Sequence, residues 1–135
     1  MTGEPFFDTN VLVYAVAVNE PRTAIARRLL STGGTISVQV LNEFANVMRS
    51  KFRKSWSLTE TALAEMRELL DPPLTLTLAT HESAVALSRR YRLHIYDALI
   101  VASAAEARCD VLLTEDMADG TTIGAVTIRN PFRAA

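Results

Sequence analysis

Short apolar runs and longer amphipathic segments alternate along the chain, the pattern of an α/β domain built on a parallel sheet. Five apolar runs are expected to be strands, over 5–7, 36–38, 74–78, 111–113 and 125–128. Between the first two, helices are expected over 11–17 and 22–31. The second of these puts Ile25, Ala26, Leu29 and Leu30 on one face and stops at Gly33-Gly34. A helix over 40–52 follows. The next begins at Ser57, which has capping-box spacing to Glu60, and it buries Leu63, Met66 and Leu70 before Pro72-Pro73 ends it. Two more, over about 81–92 and 96–108, lead into the fourth strand. No internal repeat, low-complexity tract or linker interrupts this order, and residues 1–135 are expected to form one domain.

The layout gives four acidic residues a common address. Right-handed crossovers make the strands parallel and gather the strand-to-helix turns at one edge of the sheet. Asp8 follows the first strand, Glu43 lies in the first turns of the helix leaving the second, and Asp116 follows the fourth strand by three residues. Asp97 opens a helix that must finish at the opposite edge to feed a parallel strand, so it too begins at the carboxyl edge. In open α/β sheets ligands bind at that edge, where strand order reverses. Each acid alone has a plainer explanation: an N-cap for Asp8 or Asp97, a turn for Asp116, a solvated side chain for Glu43. Capping does not require all four to point at one pocket.

Composition narrows the alternatives. The chain has 135 residues, 49% hydrophobic and 21% charged, which suits a globular protein with one core. The longest apolar run, from Val11 to Val18, is well short of a membrane span, and there is no basic leader, so the expected location is the cytoplasm, with no membrane attachment. A net charge of -1 argues against a globally basic nucleic-acid binder. Cys109 has no cysteine partner and reads as core filler. His81 and His94 read as surface or packing residues.

Two carboxylates 4 Å apart repel by about 4 kcal/mol at an effective dielectric near 20. Four gathered together must take up protons or bind a cation. An all-oxygen donor set without a histidine pair or thiolates suits Mg²⁺ or Mn²⁺ rather than zinc. Carboxylate-bound Mg²⁺ completes its shell with water and phosphate oxygens, which makes a phosphate ester the natural substrate and attack by metal-activated water the economical mechanism. The two lysines, Lys51 and Lys54, share one short segment, so no lysine follows the late strands as a phosphoacceptor domain or an aspartyl-phosphate phosphatase of this architecture requires. Walker, G-x-G-x-x-G and G-x-S-x-G motifs are missing from the sequence.

The segment Phe6-Phe7-Asp8-Thr9-Asn10-Val11-Leu12-Val13-Tyr14-Ala15 resembles the opening motif of PIN-domain nucleases. In order, Val40-Leu41-Asn42-Glu43-Phe44 resembles the second-acid helix of that family, Tyr96-Asp97-Ala98-Leu99-Ile100-Val101-Ala102 its third-acid helix, and Leu112-Leu113-Thr114-Glu115-Asp116 its fourth-acid strand end. The resemblance covers nearly the whole chain. It implies a three-layer α/β/α sandwich around a mostly parallel five-stranded sheet, and a Mg²⁺- or Mn²⁺-dependent endoribonuclease, most often the toxin of a VapBC-type toxin-antitoxin pair. On that likeness Asp8 and Asp97 hold the metal most directly and Glu43 and Asp116 complete the site. Asn10 orients Asp8, Thr114 supports the substrate phosphate, and Asp119 assists or replaces Asp116. A homodimer and a cognate antitoxin, whose basic tail would neutralise the acids, are further implications.

For RNA, the densest basic stretch is Arg49, Lys51, Arg53 and Lys54 near Trp56, with Arg89, Arg90 and Arg92 a second. The competing readings are a degenerate PIN-like module that binds RNA or protein without cutting, and a nuclease or phosphoesterase of other specificity on the same site.

Overall fold

The computed structural model describes residues 4–133. Its elements run β1 (Phe6–Phe7), α1 (Thr9–Val16), α2 (Thr23–Ser31), α3 (Val38–Ser50), α4 (Trp56–Leu69), α5 (Leu78–Tyr91), α6 (Ile95–Glu106), β2 (Val111–Leu113), β3 (Thr122–Ile123) and β4 (Val126–Arg129). The sheet order is β1-β2-β4-β3, with β1, β2 and β4 parallel and β3 antiparallel to β4. The architecture is a three-layer α/β/α sandwich, but the sheet has four strands rather than five.

The difference lies at helix starts. The runs at 36–38 and 74–78 continue the sheet beyond β1, but they pair only through single parallel bridges, Phe6 with Thr35 and Ser37 with Leu74. Ser37 caps α3, its side chain accepting from the Val40 N–H at 3.3 Å, so the chain turns helical at Val38 before a ladder can lengthen. The second run is cut the same way: Thr77 and Thr80 form a capping box that starts α5 at Leu78. That helix therefore begins three residues earlier than its hydrophobic pattern indicates. Likewise α4 is capped by Ser55, which accepts from the Leu58 N–H, and not by Ser57. The added strand β3 follows a turn through Gly120 and returns along β4.

One core cluster joins the strands to α1 through α4 and α6, centred on Phe6, Phe7, Leu12, Ile36, Phe44, Leu112 and Ile128, all fully buried. A smaller one, Ala84 with Ala98 and Ala102, lets α5 and α6 approach closely. Gly34 belongs to the core for a steric reason: a Cβ there would stand 2.8 Å from the Pro5 carbonyl oxygen and against the Phe7 ring. Cys109 is buried, as core filler should be. Among the described residues no helix is long and apolar enough to cross a membrane.

Candidate functional site

Asp8 is the fixed point of the carboxyl edge. Its backbone N–H bonds to the Leu113 carbonyl, which locks the end of β1 against the end of β2. Its side chain is 5% exposed and caps α1, with Oδ1 accepting from the Thr9 N–H at 2.7 Å and Oδ2 from the Thr114 hydroxyl at 2.7 Å. Burial pushes its pKa above the ordinary value; those two hydrogen bonds pull it back, and the charges of Asp116 and Asp97 push it up again.

The other three acids stand around it. Glu43, half-buried on α3, accepts from the Thr9 hydroxyl at 3.5 Å, and its pKa is raised by burial and then by Asp8, with a smaller push from Asp97. Asp97, in the first turn of α6, is raised by burial and by Asp116, against a lowering from His94. Asp116 is exposed and accepts from the Asn10 amide at 3.1 Å, while its backbone N–H bonds to the Thr114 hydroxyl at 3.1 Å. The electrostatic reach of these acids on one another places them in one neighbourhood. None forms a salt bridge among the described residues.

Three supporting residues differ from expectation. Asn10 holds Asp116, not Asp8, and its Oδ1 is buried without a protein partner among the described residues. Thr114 is fully buried and holds Asp8 rather than facing a substrate phosphate. Asp119 points elsewhere: Oδ1 accepts from the Asn130 N–H and Oδ2 from Arg133, both at 2.8 Å, and these bonds hold its carboxyl below the usual range. It fastens the C-terminal segment.

Two open grooves meet at the acids. One, of about 420 Å³, is lined by Thr9, Asn10, Glu43, Lys51 and Asp116; the other, of about 400 Å³, by Arg92, His94, Asp97 and Asp116. Asp116 therefore stands on the boundary between them. Of the predicted basic residues, Lys51 enters the first groove, and Lys54 joins it in an adjoining depression with Phe52. Arg53 is exposed and lines neither groove, and Arg49 is turned away, donating to the Lys54 carbonyl and stacking over Trp56 at 4.4 Å. Arg89 and Arg90 also lie outside these grooves.

Sequence reasoning grouped Arg92 with Arg89 and Arg90 as a second basic stretch, and it gave no site role to several other residues around this edge. Arg92 adopts a left-handed conformation at the end of α5, and this turn brings it to the groove. His94 is more than a surface residue, since it caps α6 and lines the same groove. Tyr14 and Arg22 form a third group: the Tyr14 hydroxyl hydrogen-bonds Glu115, Arg22 bridges Glu20 and Glu115, and its guanidinium lies 4.0 Å over the Tyr14 ring. Burial and Glu115 push the Tyr14 pKa up to about 12. Helical spacing from Asn10 to Tyr14 was the available signal, because residues four apart share a face.

The sequence profile of the PIN domain matches residues 6–118. The chain belongs to the PIN domain family. Solved structures with the same fold include a toxin-antitoxin complex from Klebsiella pneumoniae, with 24% identity, a TM-score of 0.72, and coverage of 96% of this chain and 98% of that one. Mycobacterium tuberculosis VapC20, a sarcin-ricin loop cleaving toxin, shares 18% identity at a TM-score of 0.67 over 84% of this chain and 90% of its own. VapBC2 from Rickettsia felis, bound to a DNA fragment from its promoter, shares 20% at 0.66 over 93% and 96%. At these identities the likeness is one of fold. No curated protein matches this PIN chain in sequence.

Proposed function

We propose that this PIN-domain protein is a divalent-metal-dependent endoribonuclease acting through Asp8, Glu43, Asp97 and Asp116, and that it is the toxin of a VapBC-type pair. The observation that carries the reading is the gathering of the acids: Thr114 joins Asp8 to Asp116, Thr9 joins Asp8 to Glu43, Asp97 and Asp116 line one groove, and among the described residues no basic side chain is paired with any of the four. Such a cluster is costly without a ligand of opposite charge. The fold likeness to three structures named as toxin or toxin-antitoxin proteins supports the toxin role and a cognate antitoxin.

The donor set fits Mg²⁺ or Mn²⁺. Among the described residues no three acid, histidine or cysteine side chains form a ready-made cage, but Mg²⁺ keeps several waters and takes only one or two carboxylates directly. Asp8 and Asp97 would hold the ion, with Glu43 and Asp116 completing the negative site. When bound, the metal neutralises the acids, polarises the phosphate and activates water for in-line attack on phosphorus.

The chain supplies the rest. Thr9 and Thr114 fix both oxygens of Asp8, so its position costs little reorganisation during the reaction. Asn10 holds Asp116 where the two grooves meet. Glu43, its pKa raised by burial and by Asp8, lines the groove beside Asp116, where it would take a proton from the attacking water. Lys51 and Lys54 place positive charge along one approach and attract the phosphate backbone. We assign the fourth acidic position to Asp116 and a structural role to Asp119. A homodimer acting in the cytoplasm is the form we expect.

Parallel assays on single-stranded RNA, structured RNA and DNA with Mg²⁺ test the reading. Cleavage of RNA supports it; cleavage of DNA alone, or binding of RNA without cleavage, rejects it in favour of the other nuclease or the degenerate module.

A further inference from the structure

We propose that the stacked rings of His94 and Tyr96, with Arg92 on the same side, form a nucleobase-docking subsite on the Asp97 flank of the acidic centre. The inference rests on the ribonuclease reading and extends it to how the strand leaves the site.

The two rings lie 5.5 Å apart between centroids at an interplanar angle of 27°. His94 lines the groove that contains Arg92, Asp97 and Asp116. Part of this arrangement is explained by helix capping, because the imidazole Nδ1 accepts from the Tyr96 N–H at 3.3 Å. Capping fixes the imidazole but needs nothing from the tyrosine ring. Tyr96 is 56% exposed, one residue before an acid of the centre, so its ring contributes little to the core.

The chemistry of the two flanks differs. A strand with its phosphate at the acids passes Asp116 and runs along both grooves. On the Glu43 side it meets Lys51 and then Lys54, point charges suited to phosphates. On the Asp97 side it meets one guanidinium, Arg92, and the His94 ring, with the exposed Tyr96 ring stacked against that ring just outside the groove lining. Single-stranded RNA is held in this way elsewhere, by a charged track for its backbone and aromatic faces for its bases. Stacking on a π-face tolerates any base, so the subsite would add affinity rather than sequence choice.

The test is binding of a short fluorescein-labelled single-stranded RNA to full-length protein carrying Glu43→Gln, which stops turnover, in the presence of Mg²⁺. Removing an aromatic base platform weakens binding by about 5- to 150-fold. Tyr96→Ala should therefore weaken binding within that range, with an unchanged salt slope because no phosphate contact is lost, and Tyr96→Trp should restore it. Abasic residues scanned along the RNA should reproduce the loss at one position and add nothing further in Tyr96→Ala. Equal affinity of Tyr96→Ala and its parent, while the wild type still cleaves RNA, overturns the subsite and leaves the nuclease intact. A loss that is the same for every abasic strand also overturns it, as would an effect confined to binding of a protein partner. Failure of the wild type to cleave and of Glu43→Gln to bind RNA rejects the ribonuclease reading itself.

Discussion

The hydroxyl of Thr114 joins two of the four acids: it donates to Asp8 Oδ2 at 2.7 Å and accepts the backbone N–H of Asp116 at 3.1 Å. One buried oxygen thus sets the spacing between the ends of β1 and β2 where the candidate chemistry lies. Thr114→Val keeps the shape and removes both bonds. Leaving a buried carboxylate oxygen unpaired costs about 1–3 kcal/mol. Because the Thr114 bond lowers the Asp8 pKa, its loss should raise that pKa further. The acid limb of a pH–rate profile should then move to higher pH, and Thr114→Ser should restore it. An unchanged profile for Thr114→Val would contradict this role.

Raised carboxylate pKa values have a definite sign in stability. A carboxylate whose folded pKa lies above its unfolded value destabilises the fold once ionised, and the penalty is relieved as pH falls through the folded pKa. Asp8, Glu43 and Asp97 are all of this kind. In buffer without divalent ions the melting temperature should rise on mild acidification from about pH 7 towards about pH 5. Glu20 and Asp119, whose pKa values are lowered, lose their stabilisation only at still lower pH. Glu43→Gln and Asp97→Asn should each raise the melting temperature in EDTA, and Mg²⁺ should stabilise the wild type more than either variant. Asp97 also gains from the N-terminal dipole of α6, but its net upward shift says that burial and Asp116 outweigh it. Destabilisation of both variants in EDTA would show that the acids are not under mutual strain.

Asn10 and Asp119 separate support of the site from support of the fold. Asn10→Ala frees Asp116 and should lower activity by about 10- to 100-fold, the usual effect of losing a partner that orients a ligand. Asp119→Ala releases Asn130 and Arg133 and should lower the melting temperature while activity per folded molecule persists. Steady-state cleavage beside thermal unfolding distinguishes them, and equal activity losses would return Asp119 to the site.

The edge at which Asp8, Glu43, Asp97 and Asp116 lie was legible because topology alone fixes which ends of strands and helices share an edge. Asp8, Asp97 and Asp116 needed only the alternation of runs to be placed there. What escaped was local and depended on atoms. Ser37 and Thr77 read as strand residues, yet their hydroxyls cap helices and shorten two expected strands to bridges. Asn10 follows Asp8 closely enough in sequence to invite the pairing, but its amide reaches across 106 positions to Asp116. Arg92 could not be placed at the site because its position depends on a left-handed turn that an arginine seldom adopts.

Lys51 offers a check on substrate approach. If it contacts a phosphate, Lys51→Ala should weaken RNA binding across sequences and reduce the salt slope of log affinity by about 1. Arg49→Ala, whose side chain is held over Trp56, should leave that slope unchanged. Equal slopes for wild type and Lys51→Ala would remove this lysine from the RNA path.

Cleavage of single-stranded RNA by the wild type and by Asp97→Asn, each with Mg²⁺ and with excess EDTA, tests the central claim most directly. The expected result is Mg²⁺-dependent cleavage by the wild type, lost on chelation and restored by added Mg²⁺ or Mn²⁺, with Asp97→Asn folded and inactive in both conditions. Cleavage that persists in EDTA, or full activity in Asp97→Asn, would contradict a metal-dependent acidic site.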